Sequence, residues 1–278
     1  MEDSIIKTYE LPDDIFKYIS QLVYKECGIN LHDGKKELVK SRLSRRLRKL
    51  NLNSFDEYIK FLAKPDNQHE LINLLNTVST NLTSFFREKK HFEFLESYGV
   101  KQILETKYQK QLRCWSAGCS TGEEPYTISI VLDQLKHLYP DMDYSILATD
   151  ISTDVLSKAT SGIYEISKTN NLDDSILKAY FKKGIGEREG FVKVIKSIRN
   201  KIKFMRFNLI EPYSFGIKFD IIFCRNVMIY FEKPIQSIIV NKFYDTLNPG
   251  GFLFVGHSES LMNINHKFRY IAPTIYQK

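Results

Sequence analysis

W-S-A-G-C-S-T-G-E-E-P-Y, residues 115–126, is the stretch on which the fold of this chain turns. Just ahead of the turn, LRCWSA (112–117) reads as a short buried strand; after it a helical pattern runs over 124–138. A strand that ends in a small-residue turn and feeds a helix is half of a βαβ unit. Gly118 and Gly122 let the backbone turn tightly there and approach a ligand closely.

The same texture continues downstream. YSILATD (144–150), IKFMRFN (202–208), FDIIFC (219–224) and GFLFVGH (251–257) read as further buried strands, with helices over 153–161 and 234–247 between several of them. Such alternation predicts an α/β, Rossmann-like domain with a mostly parallel sheet and helices on both faces. Gly184, Gly186 and Gly190 bracket FVKVIK, expected as a small β-hairpin inserted at about 184–200. Upstream the pattern is helical. Ile15, Ile19, Leu22 and Val23 form a stripe between Pro12 and Gly28, and Val39, Leu43, Leu47 and Leu50 form a second over 33–50. Ser54-Phe55-Asp56-Glu57 matches a capping box, Pro65 closes that third helix, and a fourth covers 70–78. The expected division is a helical domain at 1–78 and an α/β domain at 79–278.

The composition excludes several classes of protein. The chain has 278 residues and a net charge of +7, a basic excess that favours an acidic partner without choosing one. Cys27, Cys114, Cys119 and Cys224 are scattered and form no C-x-x-C pair, against a zinc cluster or a disulfide framework. MEDSIIKTYELPDD at the start is polar and acidic, and no run reaches the ~18 apolar residues of a membrane span. A soluble, cytoplasmic protein is the expectation.

In an open α/β sheet, ligands sit beyond the carboxyl ends of the strands. The next strand ends in Asp150, about thirty residues past the turn, where an acid can accept hydrogen bonds from both hydroxyls of a ribose. The turn lacks both G-x-x-x-x-G-K-[ST] and G-x-G-x-x-G. It carries Glu123 and Glu124, poor neighbours for a pyrophosphate and good ones for a cation. S-adenosylmethionine, with an adenosine, a sulfonium and an ammonium but no phosphate, fits this set better than NAD or ATP. A plain glycine turn with helix-start acids is an equal reading of the turn alone.

LVKSRLSRRLRKLNLNSFDEY, NLTSFFREKKHFEFL, WSAGCSTGEEPYTISI, ILATDIS, FDIIFCRNVMIYF and NPGGFLFVGHSESL, in this order along nearly the whole chain, resemble the CheR-type chemotaxis receptor methyltransferases. That resemblance implies methyl transfer from S-adenosylmethionine to receptor glutamates, giving a glutamate 5-O-methyl ester and S-adenosylhomocysteine. Carried over by motif, Asn81, Thr83, Arg87, Glu124, Asp150, Asn208, Leu209, Arg225 and Asn226 would line the cofactor, with Glu123 competing with Glu124 for one role. Arg87 and Tyr230 would stand beside the transferred methyl. The basic helix, through Arg42, Arg45, Arg46, Arg48 and Lys49, would dock on the cytoplasmic helical domains of methyl-accepting receptors, where by composition alone it is a solvated face or an RNA patch. A monomer is the default. The resemblance leaves open which receptors are substrates and whether FVKVIK holds a receptor C-terminal peptide.

Two other functions fit part of the sequence. A nucleic-acid methyltransferase fits the charge, but there is no N/D-P-P-Y/F tetrapeptide and no appended RNA-binding module. A non-catalytic cofactor sensor is disfavoured by the presence of Arg87 and Tyr230. Gly256-His257-Ser258-Glu259-Ser260 lacks the closing glycine of a nucleophile elbow; His257 reads as support for its strand end, and Cys119 and Cys224 as packing. His32, His69, His91, His137 and His266 show no ligand spacing, so no metal is assigned.

Overall fold

The structure is a computed structural model that describes residues 9–278; residues 1–8 of the expected helical domain, and with them much of the acidic start, lie outside the described residues. The chain forms two compact units. One runs to Thr80 and includes Tyr230–Glu232, and the other comprises Asn81–Ile229 and Lys233–Lys278. The return of Tyr230–Glu232 to the first unit has no counterpart in a linear reading of the chain.

The first unit contains α1 (Asp13–Cys27), α2 (Lys36–Lys49), α3 (Phe55–Leu62) and α4 (Gln68–Val78). Gly28 ends α1 in a left-handed conformation, its N–H bonded to the Tyr24 carbonyl. Ser54 caps α3 by accepting from the Glu57 N–H, while the Glu57 carboxylate reaches back to the Asn53 N–H at 2.7 Å. Val39, Leu43 and Leu47 turn the apolar stripe of α2 inward, and all three are fully buried.

One polar knot sits among them. Glu70 is 0 % exposed and accepts from Arg46 Nε at 2.9 Å, Tyr58 OH at 3.0 Å and Asn73 Nδ2 at 3.1 Å. Burial pushes its carboxyl up, but the bonds from Arg46, Asn73 and Tyr58 outweigh that and hold it below the usual carboxylate range. Breaking such a pair strands a buried charge, so Arg46→Ala should cost about 3–5 kcal/mol, read as an earlier urea transition of the helical unit. Because the folded value is depressed, this contribution is present above the ordinary carboxylate pKa and disappears as pH falls through the lowered one.

The second unit starts with α5 (Lys90–Phe94), a π-helical turn at Leu95–Gly99 and α6 (Val100–Thr106). Then follow β1 (Gln111–Ala117), α7 (Glu123–Leu135), β2 (Asp143–Asp150), α8 (Thr153–Ser161), β3 (Ile163–Glu165), α9 (Asp174–Tyr180), β4 (Phe181–Lys183), β5 (Phe191–Val194), α10 (Lys196–Arg199), β6 (Ile202–Arg206), β7 (Phe219–Cys224), α11 (Lys233–Thr246), β8 (Leu247–Val255), β9 (Arg269–Ala272) and β10 (Ile275–Gln277). The main sheet has the order β6-β2-β1-β7-β8-β10-β9. Its first five strands are parallel, and β10 runs antiparallel to both of its neighbours. Strand order reverses at β1, between β2 and β7, which makes the end of β1 the switch point where such sheets bind ligands.

Aromatic packing fixes that strand end. Trp115, 0 % exposed, is ringed by Phe207, Tyr213, Phe215, Phe219 and Phe243 at centroid distances of 5.0–5.6 Å, and its indole N–H donates to Thr149 Oγ1 at 2.9 Å. The inserted β element is larger than the hairpin expected at 184–200. FVKVIK supplies β5, the centre of a three-stranded antiparallel sheet of order β3-β5-β4, and the chain turns helical from Lys196. Its other strands are only three residues long, too short to carry a readable period in the sequence.

Candidate active site

Everything around the switch point is built from strand ends. At the end of β1 the chain turns through Gly118, at φ +96°, where a Cβ would stand 2.3 Å from Val227 Cγ2. It enters α7 from Gly122, at φ +97°, where a Cβ would stand 2.9 Å from both Ala159 Cβ and the Tyr164 hydroxyl. Both positions therefore need glycine for conformation and for space.

The two neighbouring acids of α7 point to different partners. Glu123 Oε2 accepts from Thr121 Oγ1 at 2.6 Å, folded back on its own turn, and burial pushes its carboxyl up. Glu124 stands at the strand ends: Oε1 accepts from Ser116 Oγ at 2.7 Å, and Oε2 from Arg225 Nε at 2.7 Å. Asp150 closes β2. Its Oδ2 accepts from Ser120 N–H at 2.8 Å and its Oδ1 from Ser152 N–H at 3.0 Å. Burial raises its pKa, with the amides of Ser152, Ser120 and Ile151 pulling the other way. Ser120 Oγ donates to the Asn81 carbonyl at 2.9 Å, tying the NLTSFFR segment to the glycine turn.

Arg225 is the hub. Its guanidinium lies beside the stacked rings of Phe92 (5.2 Å) and Phe223 (5.6 Å), and its side chain is 2 % exposed. Besides Glu124, it donates to the Arg87 carbonyl at 2.6 Å and reaches His91 Nδ1 at 3.2 Å and Glu88 Oε2 at 3.4 Å. These bonds tie Arg225 to Glu124 and to the Arg87 backbone. Arg87 itself is half-buried, and its Nη1 donates to the Leu82 carbonyl at 2.8 Å. The residues flanking it, Phe86 (φ +52°) and Glu88 (φ +57°), are both left-handed. For an aromatic residue in particular this conformation is strained, and such strain clusters at functional turns.

The other expected residues fall as follows. Asn208, buried just past β6, donates from Nδ2 to Glu211 Oε1 at 3.0 Å, with Leu209 buried beside it. Asn226 is left-handed at φ +60°, and Thr83 is half-buried. Tyr230 groups with the helical unit: its carbonyl accepts from Asn30 N–H at 2.9 Å, and Lys35 Nζ lies 4.6 Å from its ring centroid. Arg87 and Tyr230 thus belong to different units. Of the basic set on α2, Arg42 is spent on the end of α4, donating to the carbonyls of Val78 (2.8 Å) and Ser79 (2.7 Å), and Arg46 is bound to Glu70. Arg45, Arg48 and Lys49 are exposed.

Sequence reading missed three polar residues here, Glu88, His91 and Glu259. Glu88 and His91 stand inside the quoted NLTSFFREKKHFEFL block, but nothing in their spacing announces that the fold brings them to His257. Ligand atoms of Glu88, His91 and His257 lie within 4.8 Å of one another. The cation among them is already the Arg225 guanidinium, which also lowers the His91 pKa, after burial, to about 3. Phe85 is core, its ring edge-on to Tyr164 and Phe181, and Cys119 and Cys224 are buried thiols pushed up by desolvation.

As a set, these acceptors suit an adenosine that carries positive charge. Two carboxylates stand at neighbouring strand ends, and the turn between them supplies small residues in place of a phosphate cradle.

Comparison with known proteins agrees. Residues 14–79 match the family model described as CheR methyltransferase, all-alpha domain, and residues 81–277 the model described as CheR methyltransferase, SAM binding domain. The chemotaxis protein methyltransferase of Salmonella typhimurium is 42% identical over 96% of this chain and 90% of its own length. That of Escherichia coli is 40% identical over 96% of this chain and 91% of its own. A third, from Borreliella burgdorferi, is 40% identical over 96% and 94%.

Proposed function

This chain belongs to the CheR methyltransferase family, and from that premise we propose that it methylates glutamate side chains in the cytoplasmic helical domains of chemotaxis receptors. The cofactor of the family is S-adenosylmethionine. The observation that carries the reading is Glu124, held by Ser116 and Arg225 at the switch point, with Asp150 at the next strand end.

When bound, S-adenosylmethionine supplies an electrophilic methyl on a sulfonium. Glu124 faces the ammonium of its methionine part, and Asp150 accepts from the ribose hydroxyls. Asn81, Thr83, Asn208, Leu209 and Asn226 line the remainder. Arg225 aims Glu124 through its Nε bond and completes the pocket beside Asn226. The incoming glutamate has an ordinary pKa of about 4.3 and arrives ionised near neutral pH, so no general base is needed. Arg87 steers that carboxylate and Tyr230 orients it near the line of attack; exclusion of water and alignment supply the rate.

Receptor docking falls to Arg45, Arg48 and Lys49, since Arg42 and Arg46 are bound within their own unit. Reversing all three exposed charges should raise the receptor KM about tenfold, most at low salt, and leave cofactor affinity unchanged. An unchanged KM in steady-state assays at low salt would remove the helix from the docking surface. The reaction itself is tested with methyl-labelled S-adenosylmethionine and either receptor-bearing membranes or bulk RNA. Label on receptor that mild alkali releases as methanol is expected, whereas alkali-stable label, or label on RNA alone, would overturn the reading.

A further inference from the structure

The turn that follows β8 carries a buried carboxylate for which the reaction has no direct use. Glu259 is 5 % exposed. Its Oε2 accepts from Gly256 N–H at 2.6 Å and Asn226 N–H at 2.8 Å, and its Oε1 from Ile229 N–H at 3.2 Å. Each of these donors is a backbone amide. A buried carboxylate is costly unless its oxygens are satisfied, and amides aimed at a charged acceptor form the stronger class of hydrogen bond. The segment after β7 is therefore wrapped around Glu259 as a loop wraps an anion.

Two local features show how tight that wrap is. Asn226 is left-handed at φ +60°, and the bond from its N–H to Glu259 helps to hold it there. Gly256 leaves no room for a side chain: a Cβ would stand 2.6 Å from Asn226 Nδ2 and 2.8 Å from both the Asn226 nitrogen and Glu259 Oε2. The Glu259 N–H returns to the Gly256 carbonyl at 2.8 Å and closes the turn on itself. The amides bound by Glu259 bracket residues 226–229, which run directly into Tyr230.

We infer that Glu259 is a positioning residue for methyl transfer, its carboxylate fixing the main chain of 226–229 and thereby the presentation of Asn226 to the cofactor and of Tyr230 to the methyl. The inference rests on the roles proposed above for those two residues. Gln in place of Glu259 keeps the size but turns an NH2 towards amide donors, so the segment must shift. A shift of about an ångström at a reacting group costs on the order of a hundredfold in rate.

The test uses the full chain, Glu259→Gln and Glu259→Asp, with three readouts: melting temperature, calorimetric affinity for S-adenosylhomocysteine, and kcat and KM on receptor-bearing membranes. Glu259→Gln should melt within a few degrees of the parent, bind S-adenosylhomocysteine about tenfold more weakly and lose at least tenfold in kcat, with the receptor KM unchanged. Glu259→Asp, which keeps the charge, should recover part of both losses. Parental affinity and kcat in a folded Glu259→Gln would overturn the inference. So would losses that track only the folded fraction in both variants, because Glu259 would then serve stability alone. A parent chain that binds S-adenosylhomocysteine but leaves receptors unmethylated defeats the functional reading separately, with the binding arm still reporting on Glu259.

Discussion

Asp150→Ala should weaken S-adenosylhomocysteine binding by about two to three orders of magnitude. The proposed ribose contact is a pair of hydrogen bonds to a charged acceptor, each contributing about 1.5–3 kcal/mol. After a discount for the existing bonds from Ser120 and Ser152, about 3–4 kcal/mol remains, at 1.4 kcal/mol per decade of affinity. Asp150→Asn, retaining one acceptor oxygen, should lose about tenfold. Since burial raises the Asp150 pKa, and the ionised form is the one that binds, affinity should also decline as pH falls towards that raised value. Calorimetric titration across pH measures all three. Parental affinity in Asp150→Ala would move the ribose elsewhere.

The second large effect belongs to Arg87. The carboxylate loses charge as its bond to the methyl forms, so the Arg87 guanidinium serves the reaction by aligning the nucleophile rather than by stabilising its charge. Arg87→Ala should therefore cut kcat by about a hundredfold and change S-adenosylhomocysteine affinity far less. Tyr230→Phe, losing one hydroxyl, should cost about tenfold in kcat. The strained turn explains why substitutions beside Arg87 should also matter. Phe86 and Glu88 hold left-handed conformations, and Arg225 Nη1 donates to the Arg87 carbonyl between them at 2.6 Å. Single-turnover kinetics separate these arms, and a kcat that survives Arg87→Ala would remove Arg87 from the reaction.

The centre of the parallel sheet was legible because its strands are buried on both faces and so read as apolar runs; β7 is buried from end to end, whereas β6 at the sheet's edge has no buried residue. The glycine turn was legible because Gly118 and Gly122 meet conformational and steric demands that no other residue meets. What the sequence could not disclose is which polar groups meet. Glu88 and Arg225 are far apart in the chain, and the bond between Glu259 and Asn226 depends on two strand ends arriving side by side. Composition also misleads about α2. Arg42, Arg45 and Arg46 look equivalent as charges, yet one holds the end of α4, one sits in a buried pair and one faces solvent. The short β3 and β4 escaped because three residues carry no period.

Mass spectrometry of a receptor cytoplasmic domain, before and after incubation with this protein and S-adenosylmethionine, decides whether receptor glutamates are the methyl acceptors. The expected result is the mass of one CH2 added on glutamate side chains, in step with S-adenosylhomocysteine formed, and lost in mild alkali. Methylation confined to lysine, arginine or another alkali-stable position would contradict it, as would S-adenosylhomocysteine formed with the receptor unmodified.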